Sequence, residues 1–134
     1  MSNMIIAKAV IRELLLPRTA KRIPEPDLVM DDPDKVRAYT RAGREDGVMQ
    51  ALYLFNCQQI CSIIKPGDVV VDLGCGPATQ LGLVARLNPD IQFIGVDLSE
   101  EMLNKARAYL AELNIDNVEL RQQDIDNCQD SCPF

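Results

Sequence analysis

Residues 69–80 read Val-Val-Val-Asp-Leu-Gly-Cys-Gly-Pro-Ala-Thr-Gln, and this stretch decides the fold. An apolar run, Val69 to Val71, ends in Asp72. Two glycines at spacing two, Gly74 and Gly76, follow, and a helical pattern starts directly behind them. The pattern predicts a buried strand that turns tightly into a helix, with backbone bare enough for a ligand to touch. The third glycine of the dinucleotide fingerprint G-x-G-x-x-G is Thr79 here, which steers the reading away from nicotinamide cofactors.

Downstream of this turn the pattern alternates. A helix is expected over 78–87, with Leu81, Val84 and Ala85 on one side and Asn88-Pro89 as its stop. Ile91–Val96 reads as a second strand. Ser99 then caps a helix whose first turn holds Glu100 and Glu101, where carboxylates favour the helix dipole. Met102, Ala106, Leu110 and Leu113 form its apolar face. Asn114–Asn117 is a turn, and Val118–Gln122 is a third strand closed by Asp124. A β-α-β-α-β order of this kind means an α/β fold with a parallel sheet and right-handed crossovers.

Upstream, residues 4–16 read as an amphipathic helix with Ile6, Val10 and Leu14 at spacing four, stopped by Pro17. Residues 17–33 hold Pro17, Pro24, Pro26 and Pro33 beside Arg18, Lys21 and Arg22. This is an extended arm, either a linker on the domain surface or a lid facing a substrate. Asp32-Pro33 reads as an N-cap with proline at the first helical position, opening a helix to about Ala42 that Gly43 ends. A longer helix is expected over 45–64, with Val48, Leu52, Phe55, Ile60, Ile63 and Ile64 as its buried stripe, before the turn Lys65–Asp68. The organisation expected is an N-terminal portion over 1–44 and a ligand-binding α/β domain over 45–134.

The bulk numbers narrow the chemistry. The chain has 134 residues and no histidine, so neither a histidine base nor a histidine metal ligand is available. Residues 1–44 carry nine Lys/Arg against six Asp/Glu, a net +3, while 45–134 carry five against fourteen, a net −9. The acidic part argues against nucleic acid as its obligate ligand and is compatible with a cationic one. The five cysteines, Cys57, Cys61, Cys75, Cys128 and Cys132, lack close C-x-x-C pairs, so reduced thiols are expected rather than a metal site. The apolar stretch Met4–Leu16 is interrupted by Lys8, Arg12 and Glu13, too short and charged to span a membrane and without a signal-peptide cleavage site. A cytoplasmic location follows as the expectation.

Three aspartates fall at the carboxyl ends of the expected strands, where open α/β sheets bind ligands. The amides around Gly74 and Gly76, together with the start of the next helix, are expected to form a donor-rich, weakly positive nest for a carboxylate or phosphate. Asp72 beside it would repel a pyrophosphate but accept the ammonium of a zwitterion. Asp97 lies twenty-three residues after Gly74, the placement of an acidic group that holds paired ribose hydroxyls. Asp124 could accept from an exocyclic amine, with Ile125 packing on a base face.

Val-Val-Asp-Leu-Gly-Cys-Gly-Pro (70–77), Gly-Val-Asp-Leu-Ser-Glu-Glu-Met-Leu (95–103) and Gln-Gln-Asp-Ile (122–125) resemble the first three cofactor motifs of class I, Rossmann-like S-adenosylmethionine-dependent methyltransferases. The resemblance covers about residues 65–127. It implies that Asp72, Gly74 and Gly76, with Cys75 between the glycines, surround the methionine end of the cofactor, and that Asp97 holds the ribose. It also implies that Leu98 and Met102 pack near the adenine, and that Asp124 and Ile125 meet its amine and ring. The reaction implied is in-line attack of an acceptor on the sulfonium methyl, with the protein supplying alignment. The acceptor and any catalytic base are unknown. Tyr39, Arg41 and Arg44 stand where relatives often place a lid, or form an ordinary helix face.

The resemblance further implies a seven-stranded sheet of order 3-2-1-4-5-7-6, of which this chain supplies strands 1 to 3. The expectation is therefore a truncated domain whose Val69–Val71 strand is an open edge: either the sequence is part of a longer protein, or another chain or a second copy completes the sheet. Standing alone, such a domain is expected to be marginal or self-associating. The alternatives are a non-catalytic S-adenosylmethionine-binding or assembly module, and a nucleotide- or NAD-binding Rossmann domain, against which Thr79 and Asp72 both count.

Overall fold

A computed structural model describes residues 29–45, 47 and 49–125. The helix expected over 4–16, the arm before residue 29, Val48, Cys128 and Cys132 lie outside the described residues. The elements are α1 (Pro33–Arg44), α2 (Gln50–Ile63), β1 (Val69–Leu73), α3 (Thr79–Leu87), β2 (Gln92–Asp97), α4 (Glu100–Glu112) and β3 (Val118–Gln122).

The alternating pattern folds as its apolar runs require. The sheet has the order β1-β2-β3 and is parallel throughout, with Asp72 beside Gly95 and Asp97 beside Gln122. Phe93 of β2 is enclosed by Leu81, Val84 and Ala85 of α3 and by Leu103, Ala106 and Leu110 of α4, which together make the core. Burying such side chains contributes about 1.5–3 kcal/mol each. Asn117 ties the lower end of this core together. Its side-chain amide donates to the carbonyls of Ile91 (2.9 Å), Asn88 (3.0 Å) and Ala85 (3.3 Å).

Both expected caps form. Asp32 accepts from the amides of Asp34 and Lys35 at 2.9 and 3.1 Å. Ser99 accepts from Met102 N at 3.1 Å.

The two helices before β1 depart from the sequence reading. α1 runs through Gly43, which is buried inside the helix rather than ending it. A Cβ there would lie 3.1 Å from the Tyr53 hydroxyl, so the glycine serves a close approach. The chain breaks instead at Glu45 and at Gly47, whose φ of +69° is left-handed. The stripe expected on the next helix is also rotated. Leu52, Phe55 and Ile63 are 48, 58 and 72% exposed, while Cys57 is buried and Ile60, Cys61 and Ile64 pack on the core. This segment is apolar nearly all round, so spacing alone did not select the face that meets α3.

Among the described residues β1 pairs only with β2, and its ends Val69 and Leu73 are exposed. No helix among the described residues is long and apolar enough to cross a membrane.

Candidate functional site

The carboxyl ends of the three strands converge through one set of hydrogen bonds. As the chain leaves β1, Gly74 N and Cys75 N both donate to Val96 O, at 2.7 and 3.0 Å. Gly76 N donates to Asp97 Oδ2 at 2.8 Å, and Asp97 Oδ1 accepts from Ser99 N at 2.9 Å. Gln123 N donates to Asp97 O at 3.0 Å, which brings the segment after β3 alongside. Gly74 and Gly76 have φ of +78° and +53°, so the double reversal needs both. A Cβ on Gly74 would lie 3.9 Å from Ile125 Cδ1, so the first and third strand ends meet over the cleft.

This geometry removes the turn's own amides from the expected donor-rich nest and leaves the start of α3 as its remaining donors. The amides of Gly74, Cys75 and Gly76 are all spent within the protein, and Ala78 N donates to Cys75 O at 3.0 Å. What the cleft presents is negative. Asp72 is half-buried, and its carboxyl is raised above the usual range, first by burial and then by the charge of Asp97. Two like charges placed together in this way favour a cationic partner.

Asp97 itself is half-buried at the end of β2. Each of its oxygens already accepts one backbone amide. A carboxylate offers about four lone-pair sites, so one on each oxygen remains for a pair of hydroxyls.

The other expected site residues divide. Leu98 and Asp124 are half-buried and Ile125 is exposed at the cleft. Met102 is 5% exposed, which leaves it little surface to offer a ligand. Cys75 lends the loop its backbone alone. Its thiol packs under β2, where a Cβ on Gly95 would lie 3.0 Å from Sγ, and burial with the nearby Asp72 and Asp97 pushes its pKa up to about 12. It is therefore a neutral core thiol and no nucleophile.

Of the three upstream candidates, two reach the loop. Arg44 Nε donates to Thr79 Oγ1 at 3.1 Å, its Nη2 donates to Pro77 O, and its guanidinium stacks 3.7 Å from the Tyr109 ring centroid. Tyr39 stands beside Gly76, where a Cβ would come within 4.0 Å of its ring. Arg41 pairs with Glu45 at 3.4 Å on the exposed face of α1. The described end of the arm docks as well: the Ser99 hydroxyl lies 2.9 Å from Met30 O and 2.6 Å from Asp31 Oδ1.

Gly95 is a site residue that spacing missed. A Cβ there would meet Leu81 and Leu120 at 2.8 and 2.9 Å, so a larger residue would have to push these packed side chains aside. Its place two residues before the strand-ending Asp97 was the available signal.

Comparison with known proteins gives a consistent answer. A family model described as a methyltransferase domain matches residues 64–132. An arsenite methyltransferase of Halobacterium salinarum is 43% identical over 63 residues, 46% of this chain and 16% of that protein. A carboxy-S-adenosyl-L-methionine synthase of Campylobacter fetus is 40% identical over 72 residues, 47% of this chain and 31% of that protein. In fold, the chain is similar to a SAM-dependent methyltransferase from Aquifex aeolicus, with a TM-score of 0.54 and 24% identity over 69% of this chain and 47% of that one. The match thus spans less than a third of the length of either relative.

Proposed function

This chain belongs to the methyltransferase domain family, and from that premise we propose that it forms the cofactor-binding part of an S-adenosylmethionine-dependent methyltransferase. The observation that carries the reading is the charge of the cleft. Asp72 and Asp97 stand close together at the strand ends, while the amides of Gly74, Cys75 and Gly76 are spent within the protein. A pyrophosphate would meet two carboxylates and turn amides that are already spent. A ligand with a sulfonium and an ammonium would meet opposite charge.

The residues present fit that cofactor. Asp97 would take the two ribose hydroxyls on its remaining lone pairs. Asp72, Gly74 and Gly76 would enclose the methionine end. Leu98, Asp124 and Ile125 would receive the adenine. When bound, S-adenosylmethionine supplies a methyl group activated by the positive sulfur. The task left to the chain is to orient that end and shield it from water. No described residue at the cleft is assigned as a base, and the methyl acceptor is open.

Calorimetry with S-adenosylmethionine, S-adenosylhomocysteine and NAD tests the reading. Saturable binding of the first two, with NAD bound at least tenfold more weakly, is the outcome expected. Binding of NAD alone would overturn it and restore the nucleotide-binding alternative.

A second reading keeps the cofactor and drops the transfer, as a binding or assembly module. It is favoured by the match spanning less than a third of the length of the relatives, which covers the cofactor motifs alone. Release of S-adenosylhomocysteine by a protein containing this chain plus the remainder found in its relatives would decide for transfer. The outer edge of β1, exposed at Val69 and Leu73, is proposed to receive a further strand from a complementing chain or a second copy. The free thiols Cys57, Cys61 and Cys75 support placing the protein in the reducing cytoplasm.

A further inference from the structure

Residues of α1, α2, α3 and α4 line a half-open pocket of about 380 Å³. Its walls include Arg44, Gln50, Tyr53, Thr79, Leu83 and Tyr109, and it shares no residue with the proposed cofactor site. Its volume falls within the range that holds small organic ligands.

The chemistry of the walls is specific. Arg44 is the one charged residue among them, and no acidic residue lines the space. The guanidinium is fixed by Thr79 Oγ1, by Pro77 O and by stacking on Tyr109, which occupy Nε, Nη2 and one face. Nη1 has no protein acceptor among the described residues. Desolvation pulls the Arg44 pKa below its ordinary value, and Tyr109 and then Glu112 offset this in part through space. A half-buried cation whose nearby carboxylate makes no ion pair with it is costly, and an anion brought to Nη1 would relieve that cost. Tyr53 and Tyr109 add phenol groups to the lining, and Leu83 with the two rings makes much of the wall apolar. A phosphate would have to shed its hydration against that apolar surface. A carboxylate carried on an apolar body would match both parts.

We propose that this cavity is a second ligand site, taking a small organic carboxylate whose charge sits on Arg44 and whose apolar or aromatic body lies against Tyr53, Leu83 and Tyr109. The proposal does not depend on the identity of the cofactor. Because Arg44 also holds Pro77 and Thr79, a ligand here would bear directly on the loop that carries Gly74 and Gly76.

The test is titration of the full chain with 3-phenylpropionate and with its neutral isostere 3-phenylpropionamide, followed by nitrogen–proton correlation spectra. The acid should bind saturably and at least tenfold more tightly than the amide. Its shifts should centre on Arg44, Tyr53, Thr79, Leu83 and Tyr109. Leu83→Trp, which fills the apolar end and leaves Arg44 in place, should remove binding, and Arg44→Met should erase the preference for the acid. Should Arg44→Met fail to fold, the acid–amide comparison and Leu83→Trp still decide the matter. Equal affinity for acid and amide, a response that does not saturate, or shifts centred on Asp72, Gly76 and Asp97 would each overturn the proposal.

Discussion

Replacing Asp97 with Asn removes one charge and one acceptor while keeping the side chain's size. In the structure the two carboxylate oxygens serve two different segments: Oδ2 takes Gly76 N at 2.8 Å and Oδ1 takes Ser99 N at 2.9 Å. Asn has one oxygen, so one amide keeps a neutral acceptor and the other faces an NH₂ group. A hydrogen bond to a charged group contributes about 1.5–3 kcal/mol, against about 1 kcal/mol for a neutral one. Losing one such bond and weakening the other should cost about 2–4 kcal/mol of stability. The loss is large beside the total of about 5–15 kcal/mol typical of a domain. The same change weakens the two hydroxyl contacts proposed for the ribose, so affinity for S-adenosylhomocysteine should fall by about tenfold, roughly 1.4 kcal/mol. Equilibrium urea unfolding reads the first quantity and calorimetry the second. A variant with an unmoved urea midpoint would show that the bonds to Gly76 and Ser99 do not hold the loop. An affinity within twofold of the parent would show that Asp97 does not touch the cofactor.

Three further outcomes are expected. Gly95→Ala places a methyl 2.8 Å from Leu81 and 2.9 Å from Leu120, and overpacking of this kind should cost about 1–3 kcal/mol in thermal or urea unfolding; an unchanged midpoint would mean that α3 is free to lift off β2. Asn117→Leu leaves the carbonyls of Ala85, Asn88 and Ile91 without their shared donor and should cost about 1–3 kcal/mol by the same measurement, with parental stability speaking against the tie. Asp72→Asn should stabilise the ligand-free protein at neutral pH while weakening cationic ligands. The folded carboxyl holds its proton more tightly than the unfolded one, so its cost is absent below the unfolded value near ~4 and grows as pH rises through the raised folded value. Stability curves of parent and variant that stay parallel from acid to neutral pH would refute this.

The β-α-β-α-β portion was legible because its signals are local and agree. Each strand is a short apolar run closed by an aspartate or a turn, Ser99 caps its helix, and Asn88-Pro89 stops another. The match over residues 64–132 supports the resemblance drawn from the same motifs. The helices before β1 were less legible for two reasons. Gly43 has the sequence look of a helix stop, but it is there to admit the Tyr53 ring, a contact with another helix that local sequence does not announce. The α2 segment carries apolar residues on several faces, so the choice of Cys57, Ile60 and Cys61 over Leu52 and Phe55 is made by α3 and not by period.

The amides of the glycine turn depart from expectation for a deeper reason. Glycines at spacing two do announce that the backbone reverses, and the positive φ of Gly74 and Gly76 agrees. They do not announce where the freed amides point, because that depends on what lies across the gap. Here β2 lies across it, and Val96 O and the Asp97 side chain collect all three loop amides. The consequence reaches the ligand. Turn amides that face inward do not recognise an anion, so recognition at the turn passes to the half-buried side chains Asp72 and Asp97. The same hydrogen bonds that make the turn rigid thus set the sign of the cleft. Ala78, left-handed at φ +59° and fully buried, completes the argument from the other side. Such a conformation costs a non-glycine residue about 1–2 kcal/mol. The flanking Pro77 O and Thr79 Oγ1 are both held by Arg44 from α1. The loop is therefore braced from β2 in front and α1 behind, and the helix that precedes the α/β unit is part of the site's construction.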